Sequence, residues 1–223
     1  MIRTKLIDRK LPTYTKGEEI FNMVTHIVGG GLGVIYLVIS VLIGAFHKNP
    51  WAIVSAAIYG FATVTLFTMS SVYHGLKPSM GKKVLQVLDH CTIYFMIAGT
   101  YTPITICAMR EKYPVIAWII FGVVWGLAAL GITLTAIDIK KYEKFAMACY
   151  LGMGWCIIIP IKQTIDSIGV GGIMWMLIGG ILYTIGAVFY RVGIKHKYIH
   201  SVFHIFVDLA SIAQFVGIAL YVL

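Results

Sequence analysis

Charge is what this chain has least of. Asp, Glu, Lys and Arg together make up 12% of its 223 residues and only nine are acidic, while hydrophobic residues reach 59%. An ordinary soluble domain is about 45–50% apolar and about 25% charged. The chain therefore lacks the polar side chains to coat a water-facing surface, which excludes a soluble enzyme, and the same numbers exclude disorder. Cysteine is sparse and carries no metal-ribbon spacing. Cys91, Cys107, Cys149 and Cys156 all fall in apolar stretches without a C-x2-C pair, so they read as small buried hydrophobes. Residues 1–18 are polar and basic with no apolar core, which argues against a cleavable signal peptide. No solenoid repeat or low-complexity tract is visible.

What the chain has in abundance is apolar runs of membrane-spanning length. A spanning helix needs roughly 20 apolar residues, and seven such runs can be read here, at 21–46, 51–74, 84–109, 113–135, 145–161, 171–190 and 199–223. The fifth is the shortest and ends at Pro160. The expected fold is an all-α integral membrane bundle of seven transmembrane helices. Residues 1–20 form a short N-terminal segment and 21–223 a single domain.

The net charge of +9 would suggest nucleic acid in a soluble protein. Here the cations sit in loops, where they report topology and anionic headgroups, so membrane lipids are the expected partners and nucleic acid is not. The N-terminus carries Arg3, Lys5, Arg9, Lys10 and Lys16. Alternate loops add Lys77, Lys82 and Lys83, then Lys140, Lys141 and Lys144, then Arg191, Lys195 and Lys197. The other side has only Lys48, Arg110, Lys112 and Lys162, a division of fourteen to four. By the positive-inside rule the N-terminus is cytoplasmic and the C-terminus outside. The glycines within spans, as in Gly29-Gly30-Gly31-x-Gly33, Gly152-x-Gly154 and Gly179-Gly180, are expected to let helices approach closely.

Ionisable groups inside spans are costly and mark a site by default. They are few: His26, His74, Asp89, His90, His200, His204 and Asp208. On the topology above, every one lies in the cytoplasmic third. His200-x3-His204 places two imidazoles on one helical face, about 6 Å apart along the axis, so both can reach one ion. His74, at the same depth on another span, is the natural third ligand. Three protein ligands plus water is the open arrangement of a catalytic zinc, and imidazole suits zinc better than magnesium or calcium.

Asp89 and His90 point about 100° apart, so only one can face that ion. Asp89 is the better candidate, either as a ligand or through a water, while His90 reads as a packing residue. Ser70 lies one turn before His74, where its hydroxyl can orient a ligand or bond back to its own helix. Glu19-x2-Asn22-x3-His26 is a second polar strip, in which Glu19 can simply begin the helix. Asp208 continues the His200/His204 face.

These pieces resemble the bacterial hemolysin III family, within the superfamily of progestin and adipoQ receptors. The resemblance is carried by Glu19-x2-Asn22-x3-His26, by Ser70-x3-His74 in SSVYH, and by LDHCTIYFMIAGTYTP from Leu88. GGILYTIGAVFY from Gly179 and His200-x3-His204 in HSVFH complete it. It implies a multi-pass protein of the bacterial plasma (inner) membrane with zinc held by His74, His200 and His204, and with Asp89 and Ser70 as catalytic residues beside the metal's water. It also implies a metal-dependent, ceramidase-like hydrolase acting on a lipid amide or ester. Two alternatives stay open: a non-catalytic lipid-homeostasis sensor with structural zinc, or a pore-forming cytolysin. One departure stands out. Family members often have a further His late in the last span, where this chain has Gln214.

Overall fold

The computed structural model describes residues 4–193 and 196–223. Arg3 and Lys195, both used in the charge comparison, lie outside them. Seven main helices follow one another with no strand among the described residues: α1 Lys16–Phe46, α2 Pro50–Gly75, α3 Met80–Thr102, α4 Pro114–Ile137, α5 Glu143–Trp155, α6 Ile161–Gly193 and α7 Ile199–Tyr221. At Pro103, which has no N–H to donate, α3 loosens into a π-helical stretch, Pro103–Met109, and ends in the short turn Arg110–Lys112.

The helix starts are written locally. Thr15 caps α1 in a capping box. Its hydroxyl accepts from the Glu18 N–H at 3.3 Å while Glu18 Oε2 accepts from the Thr15 N–H at 2.8 Å. This is why α1 begins at Lys16, several residues before the expected apolar start. Asn49 caps α2 and Ser79 caps α3. Pro50 and Pro114 occupy first-turn positions where the missing N–H costs nothing.

Among the described residues, six segments are long and apolar enough to cross a membrane: α1, α2, Met80–Lys112, α4, α6 and α7. The fifth run expected from sequence is different. The helix α5 has 13 residues, about 20 Å at 1.5 Å per residue, and passes into a 3-10 turn, Cys156–Ile158, before Pro160. It is too short to span alone. The sixth run is longer than expected because α6 continues back to Ile161 through a bend at Gly169, whose φ of 70° and ψ of 169° lie where only glycine sits without strain.

The helix α1 packs on α2 and α7, α2 also packs on α3, and α6 packs on α7. The inward face of α1 is Asn22, His26, Gly29, Gly33, Tyr36, Ser40 and Gly44, while Val24, Ile27, Val28 and Ile35 face outward. Apolar side chains outside and small or polar ones inside is the pattern of a helix solvated by lipid. Gly29 and Gly33 do sit at close helix contacts, and a Cβ at Gly179 would meet Gln214. Gly31, Gly152 and Gly154 do not: a Cβ there would meet nothing within 4 Å, so the close-packing reading fails at those three.

Candidate metal centre

His74 stands in the last turn of α2, and His200 and His204 in the first two turns of α7. All three are buried, at 2%, 8% and 1% exposure. One nitrogen from each can be chosen so that all lie within 4.8 Å of one another. The Nε2 atoms of His200 and His204 are 3.2 Å apart. Two nitrogens bound at about 2.0–2.1 Å to one tetrahedral zinc would be about 3.3 Å apart, so the spacing fits. The third ring is poised to complete the set. His74 Nδ1 is bonded to Glu19 Oε2 at 2.7 Å, and its buried Nε2 has no hydrogen-bond partner among the described residues. A neutral imidazole that donates from Nδ1 presents an acceptor lone pair at Nε2.

The start of α7 is held against α1. Ser201 donates to Asn22 Oδ1 at 2.6 Å. The Tyr198 N–H donates to Glu18 Oε1 at 2.7 Å, which steadies a tyrosine in the left-handed region at φ 60°. Glu18 thus serves both the α1 cap and the approach to His200.

Ser70 is buried one turn before His74, and it lines the same cavity as Asp89. The back-bond to its own helix is made instead by Ser71, which donates to the Phe67 carbonyl. Asp89 is not in the three-histidine group. His90 points elsewhere, with Nδ1 on the Gln86 carbonyl at 2.8 Å and Nε2 near the Tyr190 hydroxyl at 3.2 Å. His26 stacks on His204 and meets Phe67 edge-on, outside the ligand group. The Oδ1 of Asp208 packs where a Cβ on Gly29 would be, at 2.5 Å.

Three participants were not legible as such. Tyr14, just before the α1 cap, stacks on His200 with ring centroids 5.0 Å apart, and its ring lies 5.7 Å from His74. Burial, then the nearby Tyr190, Glu19 and Asp89, pushes its phenol upward, so it stays a neutral donor. Glu19 was visible only as part of a polar strip. Lys82, whose Nζ reaches Glu19 Oε1 at 2.6 Å, looked like one more loop cation.

A cavity of about 230 Å³ opens beside these groups. Its wall includes Ser70, Asp89, His200 and His204, and continues along Leu66, Ile93, Met96 and Val207 to Ile104, Ile157 and Met176. One end is polar and the rest is predominantly apolar, the usual make-up of a ligand site.

The family model described as "Haemolysin-III related" matches residues 14–215. The chain is 33% identical over 206 residues to Hemolysin-3 of Bacillus cereus, covering 92% of each protein. It is 33% identical over 208 residues to a Hemolysin-3 homolog of Bacillus subtilis (strain 168), covering 93% of this chain and 96% of the relative. The human Monocyte to macrophage differentiation factor is 28% identical over 201 residues, 83% of this chain and 80% of that protein. No solved structure matches.

Proposed function

The chain belongs to the haemolysin-III related family, and from that premise we propose a zinc-dependent hydrolase of a lipid amide or ester, working near the cytoplasmic face of the bacterial plasma membrane. The observation that carries the reading is the single cavity that joins Asp89, Ser70, His200 and His204 to an apolar interior. A polar end suits the scissile group and apolar walls suit an acyl chain.

His74, His200 and His204 would hold the ion. Zinc bound by three neutral imidazoles supplies a Lewis acid for a carbonyl and brings the pKa of water toward about 7. The chain's own groups do the rest. Asp89, which shares the cavity wall with Ser70, would take a proton from an attacking water as general base. Ser70 would direct its O–H toward the oxygen on which negative charge develops. Tyr14, a neutral phenol over His200, limits access from the N-terminal side.

The proposed topology has seven crossings, with α5 and its following turn completing the fifth, and a cytoplasmic N-terminus. The support is the fourteen-to-four division of Lys and Arg. The test of function is metal analysis of the detergent-purified chain beside His200→Ala/His204→Ala, followed by hydrolysis of long-chain lipid amides and esters. About one zinc per chain and turnover, both lost in the double variant, are expected. Zinc binding without turnover would leave a structural clasp between α2 and α7. Metal-replete protein without zinc would sink the hydrolase.

A further inference from the structure

A metal ligand in the last turn of a helix is poorly placed by its own backbone. The final carbonyls of a helix have no partners within it, and terminal turns are where fraying begins. His74 has this problem, since α2 ends at Gly75. The structure answers it with Lys82.

Lys82 is the third residue of α3, where the Ser79 hydroxyl accepts its N–H at 3.1 Å. Its side chain folds back instead of extending into solvent and is only 3% exposed. Nζ donates to the Leu76 carbonyl, immediately beyond the end of α2, at 2.9 Å, and to Glu19 Oε1 at 2.6 Å. It also lies 5.1 Å from the Tyr73 ring centroid. The other Glu19 oxygen holds His74 Nδ1 at 2.7 Å. One carboxylate on α1 therefore joins a lysine on α3 to a histidine on α2, and the lysine also secures the backbone two residues past that histidine. A lysine is rarely buried unless paired, and loop topology alone would leave it in water.

We propose that Glu19 and Lys82 are positioning residues for the metal centre: Glu19 sets the tautomer and direction of His74 so that Nε2 faces the ion, and Lys82 holds both Glu19 and the end of α2 in place. The inference rests on the metal reading above. Carboxylate partners of ligating histidines typically govern metal affinity by roughly 10–100-fold.

The experiment measures zinc affinity of the full chain in detergent by competition with a chromophoric chelator. Wild type is compared with Glu19→Gln and Lys82→Met, and the melting temperature of each zinc-free protein is recorded. Cobalt(II) absorption spectra report ligand geometry separately. Glu19→Gln, nearly isosteric, is expected to bind zinc roughly 10–100-fold more weakly, with an altered cobalt spectrum and an unchanged zinc-free melt. Lys82→Met is expected to move both readouts the same way to a smaller extent. Glu19→Asp should recover part of the affinity. If Lys82→Met does not fold, Glu19→Gln decides alone. Wild-type affinity and spectrum in Glu19→Gln would overturn the assignment while leaving the metal site standing. Weaker binding matched by a lower zinc-free melt would make the pair a fold staple and overturn it too. A wild-type chain that binds no zinc would remove the metal reading and this inference together.

Discussion

The imidazoles of His26 and His204 lie face to face, ring centroids 3.7 Å apart and planes 21° from parallel, although they come from opposite ends of the chain. Both nitrogens of His26 are buried without a hydrogen-bond partner among the described residues, and the ring lines the cavity. Its contact with the centre is through a ring face, which offers no lone pair to a metal.

His26→Phe should therefore retain about one zinc per chain, since a phenyl ring can keep the stack. Metal analysis beside His204→Ala checks this. A chain emptied by the His26 change alone would make His26 a ligand.

Tyr14 covers the His200 face of the centre. Tyr14→Ala is expected to leave zinc stoichiometry intact and to speed its removal by a chelator several-fold, because the ring that shields His200 is gone. The time course of zinc loss reads this directly, and a rate equal to wild type would show that access lies elsewhere.

At Gly29 the helix α1 lies close to side chains of both α2 and α7. An added Cβ would lie 2.5 Å from both the Asp208 carboxylate and the Phe67 ring. Gly29→Ala should destabilise the bundle by about 1–3 kcal/mol, the usual cost of overpacking. Gly31→Ala, which meets nothing within 4 Å, should not destabilise it. Thermal unfolding in detergent compares the two, and equal melts would refute the close contact.

Asp138 ties the N-terminal segment to the end of α4. Its carboxylate accepts N–H bonds from Thr4 at 2.7 Å and from Lys140 and Lys141 at 3.1 Å each. Burial raises its pKa, but these hydrogen bonds outweigh that and leave it below the ordinary value. A carboxyl whose folded pKa is depressed contributes fully above the unfolded value of about 3.9 and loses that contribution as pH falls through the folded one. The N-terminal strap should thus stay docked at neutral pH and loosen on acidification below about pH 4. The mobility of a spin label at the exposed Thr13 checks this. In Asp138→Asn, mobility should already be higher at pH 7 and depend little on acidification.

The three clustered histidines were legible because an imidazole in an apolar run has few benign explanations, and because 3.6-residue periodicity puts His200 and His204 on one face. Glu19, Lys82 and Tyr14 were not. A lysine after Pro78-Ser79 looks like a loop cation, and nothing local says that its side chain turns back onto α2. Glycine was equally ambiguous. Gly29 and Gly152 look alike in sequence, and only the neighbouring helix makes one a close contact and the other open.

Chain composition and period suffice for an all-helical chain with apolar runs of spanning length and for the handful of buried ionisable groups. These follow from short-range rules, namely the cost of unpaired backbone in lipid and the geometry of one helix. The distances at which His74 meets His200 and His204, the Glu19 bridge from Lys82 and the stacking of Tyr14 arise from how separate helices are placed against each other. That placement depends on side-chain fit between segments far apart in the chain, which no local pattern encodes.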